Sequence, residues 1–376
     1  MTPLNYDAVI VGAGIVGAAC AAECARAGMR VAVIEAGIIG GGATAAGMGH
    51  IVVMDDSEAQ FALTRYSQIL WNELAAELPA DCEFEACGTI WVAADEEEMT
   101  EVRRKKIYFE ERGVAAEILD ARALADAEPN LRPGLAGGLR VPGDSAIYPP
   151  CAARFLIEQA RARGADLHQC RNAVELSGRG VRLNDGSFIS AGLTVNAAGS
   201  WSPELTPGLE VRKRKGHLVI TDRYPGLVRH QLVELGYLKS AHVLTTDSVA
   251  FNIQPRRTGQ ALIGSSRQYG SEDKQVDALI LRRMVARACE YMPRLKPLSA
   301  IRTWTGFRAA TPDKLPLIGP SSGDTNVYLA TGHEGLGITT SLATATLLAD
   351  QLLARPPAIP VEPYLPARAR QESAHA

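Results

Sequence analysis

The stretch Tyr6–Gly37, YDAVIVGAGIVGAACAAECARAGMRVAVIEAG, decides the fold. Its apolar run from Ala8 to Val11 predicts a buried strand, the glycines after it a tight turn, the small residues beyond them a helix, and Val31 to Glu35 a second strand. Together they form a βαβ unit. Gly12, Gly14 and Gly17 supply G-x-G-x-x-G in the matching place: the first allows the turn, the second lets backbone approach a pyrophosphate, and the third lets the helix lie close to the strand. Ile15 and Val16 open that helix, whose N-terminus is the expected phosphate seat. Glu35, with Ala36 beside it, ends the second strand 21 residues beyond Gly14, where an acid accepts hydrogen bonds from a ribose and disfavours a 2′-phosphate. The alternative, a glycine-rich turn in an ordinary α/β protein, leaves Glu35 unexplained.

Composition narrows the class. With 376 residues, 47% apolar and 22% charged, the chain has room for two domains and the profile of a soluble globular protein. A net charge of -3 gives no bulk attraction to nucleic acid or anionic lipid. Seven cysteines form no C-x-x-C pair, so no metal site is expected, and an odd count of scattered thiols suits a reducing cytosol. No secretory signal is read at the N-terminus, and no run reaches the roughly 18 apolar residues of a membrane span.

The segment after Glu35 selects the dinucleotide. AGIIGGGATAAGMGHI resembles the phosphate-contacting loop of the D-amino-acid oxidase-like family of FAD-dependent enzymes, so the resemblance gives Thr44, Ala45, Ala46, Gly47 and Met48 that role. LTVNAAGSWSPEL, from Leu193, resembles the family's strand and glycine turn beside the cofactor, which implicates Ala198, Gly199 and Trp201; NAVEL before it puts Val174 where a backbone contact to adenine is expected. FNIQPRRTGQALIGSS resembles a strand pair of the substrate domain, and GFRAATPDKLPLIGP with LATGHEGLGITTSLATATLLADQL resembles the closing segment. The resemblance implies an α/β fold: a Rossmann-like FAD-binding domain (GR2-type) interleaved with an antiparallel-sheet α+β substrate domain. The boundaries expected are 1–80, 143–208 and 305–366 for the first, and 81–142 and 209–304 for the second.

The closing segment also has a physical reading. HEGLG at 333–337 opens a helix whose amides and dipole suit negative charge on a reduced flavin. His333 and Glu334 are read as shaping this loop, and the amides of Gly335, Leu336, Gly337, Ile338 and Thr339 as contacting the flavin.

An arginine in an otherwise apolar run is costly to bury without an anion, and Arg308 stands in such a run. By resemblance it grips the carboxylate of an amino-acid substrate whose Cα hydrogen is transferred as hydride to flavin N5, leaving an imino acid; a planar fork suits a carboxylate. A surface position or an ion pair with Asp313 is the other reading, and Ala309 replaces the proline common after this arginine. Asn252 stands where glycine-oxidase-like members carry a substrate-facing tyrosine. His50 is a candidate to contact the substrate or take its ammonium proton, or a histidine satisfied by backbone.

Other segments fill in the second domain. GTIWVAADEEEMTEVRRKKIYFEERG predicts a strand and then a helix, with Asp95 and Glu98 at capping-box spacing. Residues 209–304 predict short strands and one helix near 274–291. RKRKG at 212–216 is expected to be a solvated edge strand rather than a phosphate or partner site. After Pro357 the chain turns proline-rich and then polar, and 367–376 is expected to fray.

Within the family, GMGHIVVMDDSEAQFALTRYSQILW most resembles catalytic β subunits of multisubunit bacterial dehydrogenases of the D-hydroxyproline dehydrogenase and opine oxidase type. That implies companion subunits carrying further redox cofactors, and a cytoplasmic enzyme, membrane-associated if its electron acceptor is. Glycine, sarcosine or opine oxidation, and a structural flavin without turnover, stay open beside it. An NAD-dependent dehydrogenase has no use for the flavin-facing helix.

Overall fold

The computed structural model describes residues 5–236 and 247–368. Among these the strands fall into two large sheets and one short pair.

The first sheet contains the βαβ unit. Its central order is Leu317–Pro320, Val327–Thr331, Phe188–Asn196, Tyr6–Val11, Val31–Glu35 and Asp166–Gln169, parallel except for the antiparallel first pair. An antiparallel extension, Ala173–Ser177 with Gly180–Leu183, leads off Phe188–Asn196. The helix Ile15–Arg26 buries Ala18, Ala19, Ala21 and Ala25, and these small side chains let the helices Pro149–Ala162 and Gly337–Leu352 lie against it. Gly12 has φ +106°, and a Cβ at Gly17 would stand 1.9 Å from the Gly12 carbonyl oxygen. Both glycines are therefore required by the turn itself.

The second sheet runs Ala300–Ala310, Arg212–Thr221, Ala261–Arg267, Ser248–Pro255, Gln231–Glu234, Thr89–Ala93, Gly137–Val141 and Glu117–Asp120. All neighbours are antiparallel except Gln231–Glu234 against Thr89–Ala93. Ala300–Ala310 lies wholly in this sheet, so the expected boundary at 304/305 falls inside a strand. The helix Ala278–Tyr291 covers one face. It starts four residues later than the expected 274, because Asp277 caps it by accepting from the amides of Leu279 and Ile280 at 2.9 and 3.0 Å. The helix Glu96–Glu111 has the cap foreseen, with the Glu98 amide donating to Asp95 at 2.9 Å; the Glu98 carboxylate accepts from the Ala94 amide.

Two expectations need correction. The RKRKG run is no solvated edge: its strand has a neighbour on each side, and Arg214 and Lys215 are buried, Lys215 against Asp273 at 3.0 Å and Arg214 against Glu334. Nor does the chain loosen at 367–368. Tyr364 is buried with its hydroxyl on the Ala59 carbonyl, and Arg368 binds Asp313 at 2.7 Å; residues 369–376 lie outside the described residues.

Candidate active site

A cavity of about 990 Å³ is lined from both sheets, at the top of the roughly 300–1,000 Å³ range of ligand pockets. At one end lies the glycine turn. Glu35 accepts from the Ala13 amide and from the Gly37 amide, both at 2.7 Å, so its carboxylate is aimed by the loop at the mouth of the helix. Thr44 sits on the short helix Gly42–Ala45 and accepts from the Ile15 amide at 3.0 Å, joining the second glycine-rich loop to the first.

The sequence-predicted cofactor positions Gly12, Gly14, Ile15, Val16, Glu35, Ala36, Thr44, Ala46, Gly47, Met48, Val174, Ala198, Gly199, Trp201, His333, Glu334, Gly335, Leu336, Gly337 and Ile338 all line this cavity. Gly17, Ala45 and Thr339 do not. Gly17 lies beneath the turn, Ala45 is exposed, and Thr339 is buried with its hydroxyl donating to the His50 carbonyl at 2.8 Å.

Beside the cavity's middle, HEGLG turns into the helix Gly337–Leu352. Glu334 takes φ +52°, its carboxylate accepting from the Gly335 amide and paired with Arg214. His333 contacts Thr344 through Nε2 at 3.0 Å, and burial pushes its pKa down to about 3. It is a neutral strut under the helix across the ordinary pH range.

The other end is built by side chains of the second sheet. Arg308 and Arg214 are directly opposite in adjacent antiparallel strands and face the same way. The Arg308 guanidinium donates to the Ser266 carbonyl at 2.9 Å and lies over Gly216, where a Cβ would come within 2.5 Å of it. Asp313 is held by Arg368, whose Nε donates to its Oδ2 at 2.7 Å. Asn252 is buried on the cavity wall, and among the described residues its Oδ1 has no hydrogen-bond partner. Val233 pairs with Trp91 on one side and with Asn252 on the other, so the three form a row across three strands, all facing the cavity. His50 lines the same cavity; burial lowers its pKa to about 4, and among the described residues its Nε2 has no partner.

Trp91, Arg214, Ser265 and Arg267 also line the cavity and were not foreseen as site residues. Ser265 and Arg267 stand at strand spacing in a segment already read as part of the substrate domain, a signal that was present. Trp91 carries none, because only the register across Gln231–Glu234 places it.

The residues fit FAD. A glycine turn opens a helix at the cavity, Gly14 leaves the space there unfilled by a side chain, and an acid aimed by two backbone amides suits a ribose. The arginine-bearing far end suits an anionic substrate. Fold and site define a flavin-dependent oxidoreductase, and comparison with known proteins gives the same class. The family model "DAO: FAD dependent oxidoreductase" matches residues 7–351, and the chain belongs to this DAO family.

It is 28% identical over 379 residues to glycine oxidase of Geobacillus kaustophilus, covering 96% of each chain, and superposes on the crystal structure of that enzyme with a TM-score of 0.86 over 96% of this chain and 98% of the other. Hydrogen cyanide synthase subunit HcnC of Pseudomonas aeruginosa is 28% identical over 426 residues, 98% of each chain. L-Proline dehydrogenase from P. horikoshii shares the fold, with a TM-score of 0.87, 24% identity and coverage of 98% and 99%. The chain is a mixed α/β, FAD-dependent amino-acid oxidase or dehydrogenase with a Rossmann-like FAD-binding domain and a sheet-containing substrate domain. Among the described residues no helix is long and apolar enough to cross a membrane.

Proposed function

We propose that this chain oxidises a small primary or secondary amino acid to the imino acid in the manner of the glycine, sarcosine and opine oxidases. The observation that carries the reading is the placement of Arg308, which lays a guanidinium over the bare backbone of Gly216 at the cavity wall. FAD, when bound, supplies the two-electron acceptor. The chain's own residues do the rest. Arg308 grips the carboxylate with two parallel hydrogen bonds, which fixes the Cα–N bond in one orientation. Asn252 Oδ1, buried and without a partner among the described residues, accepts from the substrate amine. His50, held neutral by burial, contacts the substrate rather than storing its proton. Glu35, the Gly12–Gly17 turn and the HEGLG helix terminus hold the dinucleotide.

The narrower reading, a D-hydroxyproline dehydrogenase β subunit, rests on the segment 47–71 alone. The two relatives matched above by sequence are a glycine oxidase and a hydrogen cyanide synthase subunit, which favours the glycine-oxidase type. The printed word "subunit" in the second supports companion chains as a reading to test.

Anaerobic mixing of the FAD-loaded protein with glycine, sarcosine, D-proline and cis-4-hydroxy-D-proline, with oxidised-flavin absorbance as the readout, tests the proposal. Bleaching by glycine or sarcosine is expected. Bleaching by the hydroxyproline alone restores the narrower reading, and bleaching by none of a wider amino-acid panel leaves a structural flavin.

A further inference from the structure

We propose that the Arg214–Glu334 ion pair sets the reduction potential of the bound flavin, Glu334 holding it down by cancelling the charge of Arg214. This rests on the reading that seats the flavin beside HEGLG, and on no particular amino-acid substrate.

Arg214 belongs to the RKRKG run, whose cations strand alternation sends to two faces. Lys215 meets Asp273 at 3.0 Å, whereas Arg214 lines the cavity with Gly216 and Leu218 at alternate positions of the same strand. The Arg214 side chain is 4% exposed, with Nη1 donating to the Tyr269 hydroxyl at 3.1 Å and Nη2 against the Glu334 carboxylate. Glu334 is fastened to the same sheet a second time, because its amide donates to the Ala309 carbonyl at 2.9 Å. One residue of the HEGLG loop thus touches both the strand of Arg308 and the strand of Arg214.

Glu334 sits at φ +52°, where glycine is the easy choice and any other residue is held by its surroundings. A carboxylate at that position therefore has a side-chain reason. Of the acids lining the cavity among the described residues, Asp56 and Glu204 are exposed, and Glu35 is engaged by the Ala13 and Gly37 amides at the dinucleotide end. Glu334 is the remaining one, set against a guanidinium and beside the amides read as flavin contacts. Full reduction brings two electrons and one proton to a flavin, so the cavity gains one negative charge. A guanidinium without its acid favours that charge, and an acid without its guanidinium opposes it. Paired, the two leave the helix terminus as the main fixed attraction.

The test reads the two-electron midpoint potential of the FAD-loaded protein, by equilibration with a reference dye and a chemical reductant, so that no turnover is needed. Glu334→Gln is expected to raise the potential and Arg214→Gln to lower it. Each should shift the reduced-to-oxidised ratio at a fixed dye potential by at least about tenfold, or about 30 mV for a two-electron couple. The double variant is expected to return to within about twofold of the unaltered protein. Arg214→Lys, which keeps the charge, and Tyr269→Phe, which removes only an uncharged partner, are expected to stay there too. Shifts of the same sign in the two single variants overturn the proposal, as does a Tyr269→Phe shift as large as theirs or a double variant that moves as far as either. Should one single variant not hold FAD, the sign of the other's shift decides together with the double variant, which leaves no unpaired buried charge. Unmoved potentials together with bleaching by glycine sink this inference alone. The expected opposite shifts without bleaching by any amino acid sink the oxidation reading and leave the charge pair standing.

Discussion

The two ends of the cavity are made of different material. At the dinucleotide end, a continuous stretch from Tyr6 to Gly37 places backbone amides, small residues and one acid, and Thr44 ties a neighbouring loop to it. At the substrate end, side chains converge from strands far apart in the chain: Trp91, Asn252, Arg267 and Arg308. The first end recognises with backbone and tolerates little change of shape. On the proposed reading the second recognises with side chains, whose identity can change while the sheet beneath them stays, and substrate choice is assigned to it.

The largest expected effect breaks the substrate end alone. Arg308→Met removes the charge that meets the carboxylate, a loss of about 3–5 kcal/mol for an uncompensated partner, or roughly 10²- to 10⁴-fold in kcat/KM. Flavin content should be unchanged; loss of FAD from this variant would show that the two ends are not separable.

A buried carboxyl behind the substrate end should give the next effect. Asp144 is fully buried, with Oδ1 accepting from the Gln68 side chain at 2.8 Å and the Val53 amide at 3.3 Å, and burial raises its pKa to about 7. Its folded pKa lies above its unfolded one, so its contribution to stability is fully present below about pH 4 and is lost as pH rises through 7. Asp144→Asn, neutral throughout, should gain on the unaltered protein by a few kcal/mol, in order of magnitude, between pH 4 and 8. Parallel unfolding curves for the two proteins across that range would contradict the assignment.

Glu35→Ala breaks the other end. The Ala13 and Gly37 amides lose their acceptor and the ribose its partner, a change of about 1–3 kcal/mol, or roughly 10- to 100-fold weaker FAD binding by equilibrium dialysis. The rate of flavin reduction in the fraction that retains FAD should stay within a few-fold. A change in substrate preference instead would blur the contrast between the two ends.

The smallest effect is a control on the comparison. Asp95→Ala removes the cap of the helix Glu96–Glu111 and should lower stability by about 1 kcal/mol in a denaturant titration. Neither FAD affinity nor substrate KM should move, because Asp95 lines neither end.

The same contrast explains how much was legible in the sequence. Tyr6–Val11, Ile15–Arg26 and Val31–Glu35 were readable because glycine spacing and apolar runs act locally, and the observed strand only adds Tyr6 and Asp7 before Ala8. Arg308 was readable because an arginine in an apolar run is anomalous and the surrounding segment resembles a family. Trp91 was not, since nothing in its own strand shows that Val233 will bring it into a row with Asn252. RKRKG misled for a related reason: a run of cations looks solvated when the acids that bury it, Asp273 and Glu334, are distant in the chain. The local strands, turn and helix were legible, and pairing across strands was not.

The most direct measurement is a crystal structure of the FAD-loaded protein with acetate bound. The account predicts pyrophosphate density against the Gly12–Gly14 turn, with Glu35 on the ribose, and carboxylate density in two-point contact with the Arg308 guanidinium above Gly216. A dinucleotide seated away from the turn, or acetate bound elsewhere while Arg308 stays on the Ser266 carbonyl alone, would contradict it.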